Sequence, residues 1–194
     1  MFKRTKGYFL LTMLVLTGLA GRLHSDTLTT KERRHLVNEL KTSRSAFIKS
    51  IGGLSEKQLK FRAAKNALSI KECVFRLVSI ENELWNSAKT ALEQDKQSLP
   101  GRVSDDALSL APQQDFNHKG IPFKTVKEAL KQYKSNRQEM NKYVNTSTQD
   151  VRSHIAQIEF GTFDAYQLML LSVQYCKYYT RQIEMIKQTP NFPK

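Results

Sequence analysis

The chain has 194 residues, 40% hydrophobic and 25% charged, a mixture that excludes a disordered or fibrous polymer and suffices for one domain with a single core. Eight glycines and five prolines are too few for a many-turned β fold and favour helices. The formal net charge of +13, from 31 Lys and Arg against 18 Asp and Glu, directs attention to anionic ligands or surfaces.

Residues 1–25 read as a secretory signal peptide, leaving 26–194 as the folded domain. Lys3, Arg4 and Lys6 form a basic start, and "GYFLLTMLVLTGLAG" is an apolar run too short for a comfortable membrane span. Gly18 and Ala20 supply small residues for cleavage; the alternative is an uncleaved N-terminal anchor. No cysteine follows the run, so a lipid anchor is not expected. Lys3, Arg4, Lys6 and Arg22 carry four positive charges, and no acid precedes Asp26, so the remainder holds about +9. Export removes nucleic acid from the expected partners. An anionic envelope surface or an acidic ligand stands against the plainer reading of a solvated basic surface.

Four helical segments follow. In "TTKERRHLVNELKTSRSAFIKSIGG", Thr29 and Glu32 have capping-box spacing. Leu36, Leu40, Phe47 and Ile51 make an apolar stripe, and Gly52-Gly53 stops the helix. "LSEKQLKFRAAKNA" is a connector with room for one short helical turn. The second helix opens with Ser69 and Glu72, another capping box, and repeats Ile70, Cys73, Val74, Leu77, Ile80 and Leu84 at intervals of three and four. Residues 94–124 form a long link containing Pro100, Gly101, Pro112, Gly120 and Pro122. The third helix opens with Thr125 and Glu128, a third capping box, and turns Val126, Leu130, Tyr133, Arg137, Met140 and Val144 inward. The fourth begins near Thr162–Asp164 and runs to about Gln188, with a stripe of Leu168, Leu171, Tyr175, Tyr178, Tyr179 and Ile186. No segment alternates with period two for long enough to require a sheet. Four such stripes bury one another most simply in an all-α four-helix bundle, and the long link lets the second and third helices run parallel.

Two cysteines, Cys73 and Cys176, fall on inward sides of helices. Buried free thiols are the default; an exported chain could also join them in a disulfide. Glu72, Glu81 and Glu83 are explained by capping and helix-surface pairing, and Asp164 by capping of the last helix. Trp85 reads as core or rim. Tyr175 and Tyr179 stand four apart, the spacing at which a helix would offer two histidines to one metal ion.

Three passages carry a family likeness. "LSIKECVFRLVSIENELW" resembles the second-helix signature of DinB/YfiT-like four-helix-bundle proteins. "GTFDAYQLMLLSVQYCKYYTRQIEMIKQTPNFPK" resembles the last helix and tail of that family, and "IGGLSEKQL" fits its connector. The likeness covers most of residues 30–194 in the family's order. It implies an up-down-down-up bundle with a long crossover link. It also implies, for many members, a divalent metal held by three histidines, one on the second helix and two at i and i+4 on the fourth. Related thiol transferases use that metal to activate a thiol.

Carried onto this sequence, the second-helix ligand position falls on Arg76, and the two fourth-helix positions fall on Tyr175 and Tyr179. An arginine often found just before the last ligand falls on Tyr178. An arginine stays charged and a neutral phenol is a poor ligand, so no metal and no cofactor are expected here. The chain's histidines, His24, His35, His118 and His154, offer no pair at ligand spacing. The resulting expectation is an exported DinB-like domain protein without the three-histidine site. Its role would be non-catalytic binding or scaffolding, with Arg76, Tyr175 and Tyr179 either forming a pocket for a small anionic ligand or plugging a bundle that has lost its chemistry. The alternatives are a thiol transferase or hydrolase using other residues, and a bundle that serves mainly as a homodimer surface. His154 is expected to make a structural hydrogen bond or to line a cleft.

Overall fold

The structure, a computed structural model, describes residues 27–96, 105–109, 112, 122–159 and 161–194. The expected signal peptide, His24, His118 and most of the long link lie outside the described residues. Thr30–Ile51 (α1), Glu56–Lys60 (α2), Ile70–Glu93 (α3), Val126–Thr146 (α4) and Ala165–Lys187 (α5) are helical. A short 3-10 turn covers Asp105–Ser109 within the link.

The caps explain where the helices start. The hydroxyls of Thr29 and Ser69 accept from the amides of Glu32 and Glu72, whose carboxylates reach back to the capping amides. Ser55 and Gln58 do the same for the short α2. At α4 the expected box is only half made: Thr125 accepts from the amide of Glu128, but the Glu128 carboxylate bonds the amide of Lys124 instead. At its other end α1 stops at Gly52, and the chain turns through Gly53 at φ +75°, a region side chains disfavour.

Each predicted stripe is buried, apart from Val126, Leu130 and Tyr178, which are half-buried. Cross-helix pairs give the directions. Phe75 meets Phe123, Asn82 meets Gln132, and Trp85 meets Glu139 and Tyr143, so α3 and α4 run parallel. Arg33 bonds the Val144 carbonyl, Ser43 bonds Arg137 and Phe47 packs on Tyr133, so α1 and α4 are antiparallel. Glu39 pairs with Lys177, Ser43 with Cys176 and Ser50 with Lys187, so α1 and α5 are parallel. The bundle is therefore up-down-down-up, as the link length and the likeness together imply.

Two details correct the sequence reading. First, Ile155–Ile158 (β1) and Gly161–Asp164 (β2) pair as an antiparallel hairpin, from Ile155 opposite Asp164 to Ile158 opposite Gly161. Four-residue strands are too short for alternation to register. The hairpin delivers Asp164 to the start of α5, where it forms a capping box with Gln167. Second, Glu81 is not a surface residue. It and Arg137 are both 0% exposed; Nε donates to one Glu81 oxygen at 2.8 Å, and Nη2 lies in ion-pair contact with the same oxygen at 2.6 Å. Nη1 reaches Ser43 Oγ at 3.2 Å and Nη2 the Ser172 carbonyl at 3.3 Å. The cysteines are separate buried thiols with no disulfide; Cys176 Sγ lies 3.3 Å from the Tyr133 hydroxyl and 3.4 Å from the Ser43 carbonyl.

Outside the core, Arg152 clasps three elements. It contacts Glu32 at 2.6 Å, Asp105 at 3.0 Å and Asp164 at 3.1 Å, with its guanidinium 4.0 Å above the ring of Tyr166. His154 is buried and takes the structural role: Nδ1 is 3.0 Å from the Ala91 carbonyl and Nε2 is 3.2 Å from Gln149. Trp85 is core, with its indole N–H donating to Glu139 at 3.0 Å. Among the described residues, no helix is long and apolar enough to cross a membrane.

Candidate functional site

The antiparallel packing of α3 against α5 brings the first two turns of α3 opposite the second half of α5. Arg76, Tyr175 and Tyr179 line one cavity there, of about 430 Å³. The three positions singled out in sequence are thus brought together. Tyr175 and Tyr179 are buried, and Arg76 is half-buried.

One wall of this cavity could not be read from the helix stripes. It comes from the connector, through Ala67 and Leu68, and from the end of α5 and beyond, through Ile186 and Thr189. The tail is pinned in place. Phe192 packs edge-on against Phe61 with ring centres 5.4 Å apart, and Gln58 donates to the Pro193 carbonyl at 3.0 Å. The "PNFP" ending therefore serves to hold the connector against the end of the bundle. Tyr178 completes the aromatic side, edge-on to Tyr179 at 5.1 Å.

The electrostatics are simple. Arg76 is the only charged side chain among the described lining residues. Its guanidinium lies close enough to the Tyr179 phenol to favour the ionised form. Burial pushes the Tyr179 phenol up to about 12, and Arg76 only partly opposes the shift, so the phenol is neutral at physiological pH. Burial also pushes the Cys73 thiol up to about 12, with neighbouring Glu72 adding to the rise and Arg76 opposing it. Such a thiol is inert as a nucleophile near neutrality. Glu72 itself bonds Ser69, and Arg62 at 2.5 Å. Partial burial works against its charge, but Ser69 and Arg62 outweigh that and hold its carboxyl below the ordinary value.

Arg76 Nε is buried with no hydrogen-bond partner among the described residues. A guanidinium N–H left dry is costly unless something accepts from it.

In overall shape the chain is similar to YfiT from Bacillus subtilis, described as "a probable metal-dependent hydrolase with an unusual four-helix bundle topology". The TM-score is 0.63 over 86% of this chain and 92% of that one. The two are 9% identical, so the likeness shows the fold alone. No protein-family model matches the sequence, and no curated protein matches it.

The cavity's side chains do not suit a divalent cation. Among the described lining residues the polar groups are a guanidinium that is itself cationic, the Cys73 thiol and Tyr179 phenol whose protons burial holds in place, two further phenols, and the neutral side chains of Gln182 and Thr189, with no imidazole or carboxylate. Nor does any group of three His, Cys, Asp or Glu side chains among the described residues lie close enough to hold an ion.

Proposed function

We propose that the chain is an exported, non-catalytic binding protein of the DinB/YfiT-like kind, in which Arg76 stands where relatives hold a metal and receives a small anion. The observation that carries this reading is Arg76 on the wall of a cavity with no other charge among its described lining residues. A lone cationic donor on such a wall favours an anion over a cation or a neutral ligand. The inert Cys73 thiol and the neutral Tyr179 phenol favour binding over nucleophilic catalysis. Export rests on the basic, apolar and small-residue order of residues 1–25.

Two measurements on untagged full-length protein test the reading. Metal analysis after dialysis should find no stoichiometric zinc or nickel, and a retained equivalent would overturn the proposal. Thermal melting at fixed ionic strength should rise on adding small anions to the wild type but not to Arg76→Leu. An identical rise in the variant would place the anion elsewhere. Expression with the native N-terminus, followed by fractionation and mass determination, should yield a shortened chain in the exported fraction.

A further inference from the structure

Resting on that reading, we infer the ligand's class: a monocarboxylate with a flat or short apolar body, bound with its carboxylate on Arg76 and its body among Leu68, Tyr178 and Ile186. Three features of the cavity converge on this.

The first is charge. One guanidinium is the whole charge of the described lining. A monoanion neutralises it, whereas a phosphate dianion would leave a net negative charge in a largely apolar space, which is costly. Polyanion sites gather several cations or helix N-termini around the ligand.

The second is geometry. Arg76 is half-buried on the cavity wall with the Tyr179 phenol beside it. A carboxylate accepts two parallel N–H bonds from a guanidinium, a match that a lysine ammonium lacks.

The third is the walls. Beside Arg76 the cavity presents aliphatic side chains and three tyrosine rings. Met185, the large hydrophobic side chain most open to solvent among the described residues at 47%, also lines it. A bare inorganic anion would leave these surfaces unfilled, while an aromatic ring or short alkyl chain would cover them. The volume, about 430 Å³, falls at the lower end of small-molecule pockets.

The other arginines give a useful contrast. Arg137 meets Glu81, and Arg152 meets Glu32, Asp105 and Asp164. Arg76 meets a phenol, and no carboxylate among the described residues lies within ion-pair distance of it. The proposed ligand supplies the group that those sites find within the chain.

The test is a titration followed by NMR or calorimetry at constant ionic strength. Its probes are benzoate, phenylacetate and hexanoate, the neutral benzamide, and inorganic phosphate and sulfate. The proteins are wild type, Arg76→Lys, Arg76→Leu and Tyr178→Ala, each first checked for a cooperative melt. Wild type should bind at least one carboxylate about tenfold or more tighter than benzamide or phosphate. Arg76→Lys keeps the charge but not the fork and should lose about tenfold, Arg76→Leu should lose nearly all binding, and Tyr178→Ala should weaken the carboxylates only. If phosphate or sulfate binds more tightly and depends on Arg76, the carboxylate class is wrong while the anion site stands. If no probe binds, or binding survives Arg76→Leu unchanged, the anion site itself falls.

Discussion

Replacing Arg137 with methionine tests how the core is held together. Methionine fills much of the same space, so the main loss is the charge opposite Glu81. In the native core the guanidinium holds one Glu81 oxygen by a hydrogen bond and an ion-pair contact, while the other oxygen, Oε1, has no partner among the described residues. Removing one member of a fully buried pair costs about 3–5 kcal/mol, a large share of the roughly 5–15 kcal/mol that stabilises a typical domain. Ser43 softens the loss slightly, because its hydroxyl also bonds the Glu39 carbonyl at 2.7 Å. The loss should depend on pH. Burial already pushes Glu81 up to about 7 against the pull of Arg137, and without Arg137 it rises further. A carboxyl whose folded value lies above its unfolded value contributes stability at acid pH, and that contribution fades as pH climbs from the unfolded value toward the folded one. Each unit of extra shift is worth about 1.4 kcal/mol, so the penalty at pH 8 should exceed that at pH 5 by about 1 kcal/mol. Urea unfolding of wild type and Arg137→Met at both pH values measures this. The double variant Glu81→Leu/Arg137→Met, with no buried charge, should recover to near wild type or above. A penalty below about 1 kcal/mol at pH 8, or a double variant no better than the single one, would refute the account of the pair.

Three other outcomes follow from the same coordinates. Arg152→Ala should cost about 2 kcal/mol, less than a fully buried pair because the clasp is partly exposed. The same variant should flatten the acid limb of the stability curve: partial burial opposes ionisation of Glu32, yet Arg152 and Thr29 hold its carboxyl below the ordinary value, so its contribution is present above about pH 4.5 and lost as pH falls through the folded value. Asp164→Ala removes the α5 cap and one arm of the clasp and should cost about 1–2 kcal/mol, read by chemical unfolding; no change would deny the cap its role. Cys73 and Cys176 should both titrate as thiols in guanidinium without reductant, and in the native protein they should react only slowly; a chain with no titratable thiol would overturn the free-cysteine assignment.

The long helices were legible because their apolar residues recur at three and four and their caps are spelled out locally, as with Thr29–Glu32 and Ser69–Glu72. The hairpin was not, because four residues per strand give period two no room to show itself. Arg137 was legible as inward-facing, since Tyr133, Met140 and Val144 flank it on one stripe. Its partner was not. Glu81 lies 56 residues away on another helix, and a single sequence carries no signal that joins them. A glutamate at i+4 from Leu77 and i−3 from Leu84 was itself a cue to burial, outweighed in the reading by the commoner surface role.

The site divides in the same way. Tyr175 and Tyr179 share a face by helical geometry alone, but only the likeness of the second helix put Arg76 opposite them, and the wall of Leu68 and Thr189 depends on how the connector and tail fold back. What makes Arg76 informative is the company the other buried guanidiniums keep. Both Arg137 and Arg152 face carboxylates at 3.0 Å or less, and Arg33 is held by the Val144 and Ser147 carbonyls, so each of these guanidiniums finds its acceptors within the chain. A plug at Arg76 would be expected to follow that rule, since a dry, unpartnered N–H gains nothing for stability. A guanidinium kept ready for an external acceptor would instead line a cavity with no carboxylate beside it among the described residues, as Arg76 does. The stability of Arg76→Leu without ligand separates the two: a plug should melt lower when cut away, whereas a site kept open for an anion should melt at the same temperature or higher.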